Sequence, residues 1–263
     1  MSKKLGLALG SGGARGVAHI GMLCALEEEG IKPDFIAGSS MGAVVGGLYA
    51  SGIPANQIRD KMLKIKKFDV IGVNPAALTH KAILRISKIE KLLQENIAVK
   101  NIEDFAIKYS CVATDVLTGS RHVFESGDAV FAMIASSTIP AVFKPVEYKN
   151  KLLVDGGCVC RVPIDVVKSM GADAVIAMDV LKNCSEPIDD VHNVLNLILR
   201  VFDIMDAQNS KLRYERDKGM CDIFLQPEMK GLSQYSVKNL DKAFEEGYNI
   251  TKNNMQKIKR LLD

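Results

Sequence analysis

Two short apolar runs, each broken by a glycine-rich turn and followed by a segment of helical period, constrain this chain more than any other feature. Leu5 to Leu9 reads as a buried strand, Gly10 to Gly16 as a tight turn, and Val17 to Glu29 as a helix ended by Gly30. The pattern repeats with Phe35 to Gly38 as a strand and Met41 to Ala50 as a small-residue helix stopped at Ser51-Gly52-Ile53-Pro54. Strand, turn and helix units of this kind stand side by side as a sheet covered by helices. The expectation is a three-layer α/β/α fold with a central, mostly parallel sheet, formed as a single domain over residues 1–263. A hydrophobic content of 48% and a charged content of 25% suit such a core and exclude a disordered or fibrous chain.

The remaining segments extend the alternation. Tyr109 to Thr114, Arg121 to Glu125, Val146 to Val154 and Ala174 to Val180 are strand-like, with a hairpin turn at Tyr148-Lys149-Asn150-Lys151. Residues 55–105 carry Lys, Ile and Leu at helical spacing and read as two or more helices over the sheet. A long helix is expected from Val191 to about Lys218, then a strand at Asp222 to Gln226 and a closing helix from Asp241.

Charge and cysteine usage narrow the function classes. A net charge of +3, spread along the chain, is no footprint for nucleic acid. The six cysteines sit mostly in apolar stretches without zinc-site pairing, which favours free thiols in a reducing compartment; Cys158 and Cys160 form a CxC without a second ligand pair, so no metal site is expected there. The amino-terminal residues run straight into a strand-like segment, and no apolar run approaches the ~20 residues that span a bilayer. A cytoplasmic protein, at most peripheral to a membrane, is expected.

Gly38-Ser39-Ser40-Met41-Gly42 fits GxSxG between a strand and a helix. There a serine on a strained turn exposes its hydroxyl at the sheet's end, near the positive end of the following helix, and the flanking glycines leave room for neighbouring backbone. Ser40 is the expected nucleophile; the alternative is a plain tight turn in which Ser39 and Ser40 cap the helix. Gly10-Ser11-Gly12-Gly13-Ala14-Arg15-Gly16 follows a strand and opens a helix, so the N–H groups of Gly12 and Gly13 are expected to face a developing oxyanion. A nucleotide loop is the weaker alternative, because neither the GxGxxG register nor a GK[ST] is present. Arg15 is expected to hold the loop, by pairing with a carboxylate, rather than to face substrate.

A serine nucleophile needs a base. Of His19, His80, His122 and His192, none sits at a strand end in the order a Ser-Asp-His triad demands. Asp155-Gly156-Gly157 instead closes the strand Leu152 to Val154, and a partly buried carboxylate there would take the Ser40 proton directly. Taken alone, Asp-Gly is also a turn signal.

GSGGARG, GSSMG and DGG, in this order and at these strand ends, resemble the patatin-like phospholipase family, including its short bacterial members and the catalytic domain of neuropathy target esterase. The segments Ala113-Thr114-Asp115 and Ala135-Ser136-Ser137 through Pro140, Phe143 and Pro145 are similar too. The resemblance covers roughly residues 5 to 180. It implies a patatin-like fold, Ser40 as nucleophile, Asp155 as its base, Gly12, Gly13 and Arg15 around the oxyanion, and Gly10, Gly16, Gly38, Gly42, Gly156 and Gly157 as motif glycines. Two departures stand out. Ser11 replaces a common glycine, with its N–H expected to stay available, and Cys160-Arg161 stands where relatives often carry Asn-Pro.

The expected activity is that of a serine acyl hydrolase of the lipase, phospholipase or lysophospholipase type, acting through a Ser-Asp dyad and an acyl-enzyme without cofactor or metal. A non-catalytic lipid or nucleotide binder and a regulatory adaptor are the alternatives. The partner is a lipid or acyl-ester substrate; oligomeric state stays open. The segment Gln57 to Lys67, with Ile58, Met62 and Ile65 on one face, is either a helix resting on a membrane or, as favoured, one whose apolar stripe packs inward.

Overall fold

The computed structural model describes residues 3–64, 90–181 and 194–263. Among these, strands β1 (Leu5–Leu9), β2 (Phe35–Ser39), β3 (Lys108–Asp115), β4 (Ser120–Phe124), β5 (Val146–Tyr148), β6 (Lys151–Asp155), β7 (Ala174–Met178) and β8 (Ile223–Leu225) form one sheet. Its spine is parallel, in the order β3-β2-β1-β7-β8, while β4 and β6 run antiparallel to β3 and β5 pairs antiparallel with β6. Strands β5 and β6 are the expected hairpin, with Lys149 taking the positive φ that a two-residue turn requires.

Side-chain alternation along β1 divides the core into two layers. Leu5, Leu7 and Leu9 join a cluster with α1 (Val17–Glu28), α2 (Met41–Ala50) and α5 (Ala129–Ser136), whereas Ala8 joins a second cluster with α6 (Ile164–Ser169) on the opposite face. This is the three-layer arrangement expected. Helix α1 is apolar all round because it is sandwiched between the sheet and α8 (Leu240–Asn253), which α9 (Met255–Leu262) follows.

Helix α3 (Ala55–Met62) buries Ile58 and Met62 in the first cluster and packs mainly on α1, so its apolar stripe belongs to the core; Ile65 lies outside the described residues. Residues 90–96 are helical (α4), with Leu93 fully buried. The rest of the helices expected between 65 and 89 also falls outside the described residues, as do His80, Cys184, His192 and the first turn of the long helix, which is seen as α7 (Val194–Asp217). Helices α5 and α6 have no counterpart in the sequence reading. Each is eight residues or fewer, too short for a period to stand out, although Asp128 signals the start of α5 by accepting the Phe131 N–H.

Candidate active site

The path of β3 explains how residues 115 apart in the chain come together. One edge of β3 carries β4. The other carries β2 as far as Val112, which pairs with Ser39, and then β6 from Ala113, which pairs with Asp155. Strands β2 and β6 therefore meet end to end along one edge, with their carboxyl ends facing each other. The residue after β2 is Ser40 and the last of β6 is Asp155. The Ser40 Oγ donates to Asp155 Oδ2 at 2.5 Å.

Ser40 adopts φ 52 and ψ −122, a conformation that L-residues rarely take and that turns the hydroxyl out of the strand line. The neighbouring glycines permit it. A Cβ on Gly42 would fall 2.2 Å from the Leu9 carbonyl oxygen, and one on Gly38 would fall 2.5 Å from the Ala43 Cα. The Ser40 amide is held by Ser136, whose Oγ accepts from it at 2.9 Å and donates to the Val112 carbonyl at 2.6 Å.

Asp155 is clamped on every side. Its amide donates to the Thr138 carbonyl, its carbonyl accepts from Thr114 Oγ1, and its Oδ1 accepts from the Gly157 N–H at 2.8 Å. Burial pushes its carboxyl up to about 6, against the opposing hydrogen bonds from Ser40 and Gly157 and with a small further push from the Asp206 charge. Such a group is ionised near neutral pH and close enough to its titration to accept a proton.

The glycine loop lies against this pair. Gly157 packs on Ser11, and the Ser11 Oγ donates to Ser39 Oγ at 3.0 Å. Contrary to the expectation that its N–H stays available, the Ser11 amide donates to the Arg161 carbonyl at 2.9 Å. The amides of Gly10, Ala14 and Arg15 also have backbone acceptors, whereas those of Gly12 and Gly13 have none among the described residues. Gly13 needs its glycine twice over, with φ +50 and a built Cβ only 2.3 Å from the Gln234 carbonyl oxygen. Arg15 anchors the loop through a hydrogen bond from Nε to the Leu232 carbonyl. Gly16 and Gly10 lie under Met41 and beside the Met178 carbonyl, and Gly156 lies against the Val112 carbonyl.

Three groups that the sequence named without assigning these contacts take part in the site. Ser136 is the first. His19 is the second: it is fully buried, burial pushes it down to about 4, and its neutral ring donates from Nε2 to the Gly10 carbonyl at 2.8 Å, tying α1 to the loop. The third is Arg161, 3% exposed, which bonds Asp179 at the end of β7 through Nε and Asp206 on α7 through Nη1 at 3.1 Å. The Cys160-Arg161 departure therefore supplies a buried cation that ties the loop after β6 to α7. Nothing in local spacing signals these partners.

A cavity of about 180 Å³ opens over Ser40 and Asp155, floored by Gly12 and Gly13 and walled by apolar Ile139, Leu181 and Leu199. Helix α7 roofs it with Phe202, Met205 and Asp206. Cys158 lies at its edge, exposed, while Cys24, Cys111 and Cys160 are buried free thiols. Among the described residues no three His, Cys, Asp or Glu side chains gather as a metal cage, and no helix is long and apolar enough to cross a membrane.

The profile described as patatin-like phospholipase matches residues 7–168. The chain is 36% identical over 217 residues to an uncharacterized NTE family protein of Mycobacterium tuberculosis, a match covering 79% of this chain and 60% of the relative. It is 34% identical over 182 residues to a protein named lysophospholipase NTE1 of Lodderomyces elongisporus, covering 68% of this chain and 13% of that much longer one. The chain thus spans less than two thirds of the length of these relatives. Among solved structures, VipD from Legionella pneumophila superposes with a TM-score of 0.53 over 99% of this chain and 67% of its own, at 13% identity, a likeness of fold alone. With the family profile covering most of β1 through α6, this chain belongs to the patatin-like phospholipase family.

Proposed function

We propose that this protein is a serine acyl hydrolase that cleaves carboxylic ester bonds of lipids, with Ser40 as nucleophile and Asp155 as its base. The observation that carries the reading is the hydrogen bond from Ser40 Oγ to Asp155 Oδ2, 2.5 Å long and placed at the floor of an apolar cavity. Family membership supports ester hydrolysis.

In this reading Asp155 takes the Ser40 proton as Oγ attacks the ester carbonyl. The carbonyl oxygen becomes an anion, and the amides of Gly12 and Gly13 donate to it from a water-poor site where such bonds are strongest. Protonated Asp155 then passes its proton to the departing alkoxide, leaving an acyl group on Ser40. Water, deprotonated by Asp155, attacks that ester, and the fatty acid leaves as Ser40 regains its proton. No step requires a metal or cofactor. A single carboxylate serves because its raised pKa shortens the gap to the serine hydroxyl, and because Gly157 fixes its rotamer through Oδ1. Lysophospholipids are the first substrates to try, since a relative carries that name.

The test is hydrolysis of p-nitrophenyl butyrate and of a lysophospholipid by the wild type, Ser40→Ala and Asp155→Asn. Activity in the wild type and its loss in both folded variants supports the proposal. Undiminished hydrolysis in Ser40→Ala overturns it.

A further inference from the structure

Helix α7 is built inside out. Val194, Ile198, Val201, Met205 and Leu212 recur at helical spacing and are exposed, from 38% at Ile198 to 74% at Val194. Eight of the eleven exposed large apolar side chains among the described residues lie on this one helix, so the patch is a property of α7 and not of the surface at large. Within Val194 to Met205 every exposed side chain that is described is apolar, whereas Gln208, Asn209, Lys211, Glu215 and Arg216 are exposed further along. Asp203, which accepts from Gln234 and Tyr235, and Asp206, which accepts from Arg161 and Ser210, both line the cavity. An ordinary surface helix buries its apolar stripe and shows its charges.

We infer that the outward face of α7 docks on a lipid surface and holds the mouth of the Ser40 cavity against it. The apolar face is continuous with that mouth, because Phe202 and Met205 are exposed and also line the cavity. The stretch from Val194 to Met205 is roughly 17 Å of helix at 1.5 Å per residue, enough to lie along a bilayer and too short to cross one. A second apolar point sits at the same end of the sheet. Val116 and Leu117, 45% and 65% exposed, follow the carboxyl end of β3, which runs parallel to the strand that ends at Ser40. Lys211 is exposed towards the carboxyl end of α7, where Arg216 pairs with Asp217 and Lys218 with Glu215, and it is the cation that anionic headgroups would meet there. A second copy seated on this face would cap the cavity, whereas a bilayer supplies an acyl chain to it without passage through water. The inference deepens the proposed function, on which its account of substrate entry rests.

The experiment is co-sedimentation of the full chain with vesicles of phosphatidylcholine and phosphatidylglycerol, comparing wild type with Ile198→Gln/Val201→Gln, two positions outside the cavity lining. Binding by the wild type, weakened on the order of tenfold or more in the variant, supports the docking face, provided that p-nitrophenyl butyrate hydrolysis and thermal midpoint are unchanged. Equal binding by both overturns it. So does a wild-type dimer that the variant disperses, with no vesicle binding by either, which would give the face to a second copy. Vesicle binding that depends on Ile198 and Val201 in a protein with no esterase activity supports the docking face while removing the hydrolase reading.

Discussion

The hydroxyl of Ser136 bridges the amide of Ser40 to the Val112 carbonyl, accepting at 2.9 Å and donating at 2.6 Å, so the strained turn that presents Ser40 is pinned to β3 by one side chain. Ser136→Ala removes the bridge and leaves a buried amide and carbonyl without that partner. A loss of about 1–3 kcal/mol in urea unfolding is expected. The turn also loses its support, so kcat is expected to fall more than KM rises.

Asp155 must be ionised to accept a proton, and its pKa stands at about 6. The acid limb of kcat/KM is therefore expected near pH 6, with activity rising through it and level above about pH 7. Asp206→Asn removes the charge that adds to the effect of burial in raising this value. The limb should move to lower pH in a pH-rate profile, and an unmoved limb would disconnect Asp206 from the site.

The same shift bears on stability with a definite sign. The folded-state pKa of Asp155, about 6, lies above its ordinary value of 3.8, so the folded state binds the proton more tightly. Its contribution is most favourable below about pH 4 and is lost as pH rises through about 6. Asp155→Asn keeps the shape without the charge. At pH 8 the variant is expected to be more stable than wild type by on the order of 2 kcal/mol, a few degrees in Tm, with the gap closing at low pH. Calorimetry at two pH values checks this, and a less stable variant at pH 8 would contradict it.

Gly12 and Gly13 exclude a side chain for different reasons, and the difference is testable. Gly12 has an extended φ of 174, and its built Cβ meets only the Val180 Cγ2 methyl closely, at 2.1 Å. Gly12→Ala is expected to abolish ester hydrolysis, and Gly12→Ala/Val180→Ala to recover part of it. At Gly13 the obstacle is the Gln234 carbonyl oxygen together with a positive φ, so no such rescue is expected there.

Arg161 neutralises Asp179 and Asp206 at once, with both partners largely shielded from water. Arg161→Ala strands those carboxylates, and a loss of about 3–5 kcal/mol is expected in urea unfolding. Arg161→Met/Asp179→Asn should recover part of that loss, because it removes one of the stranded charges.

The features legible in the sequence are those decided by neighbours in the chain. A strand ending in a glycine-flanked turn marks Ser40, Asp155, Gly12 and Gly13, because the close backbone approaches that need glycine recur at fixed spacing. The parallel spine and the β5–β6 hairpin follow from the same kind of local signal. The head-to-head meeting of β2 and β6 does not, since only the sharing of one β3 edge produces it. Ser136, His19 and Arg161 act through partners from 9 to 96 residues away, and no pattern around them announces those contacts. The period of α7 reveals a helix, yet periodicity alone places its apolar face in the core, and the fold turns that face outward.

Labelling with a fluorophosphonate probe, followed by peptide mass mapping, identifies the activated serine without any choice of substrate. One adduct is expected, on Ser40, forming at least tenfold more slowly in Asp155→Asn. An adduct on another residue, or labelling of Ser40 at an undiminished rate without the Asp155 carboxylate, would contradict the assignment of Ser40 and Asp155.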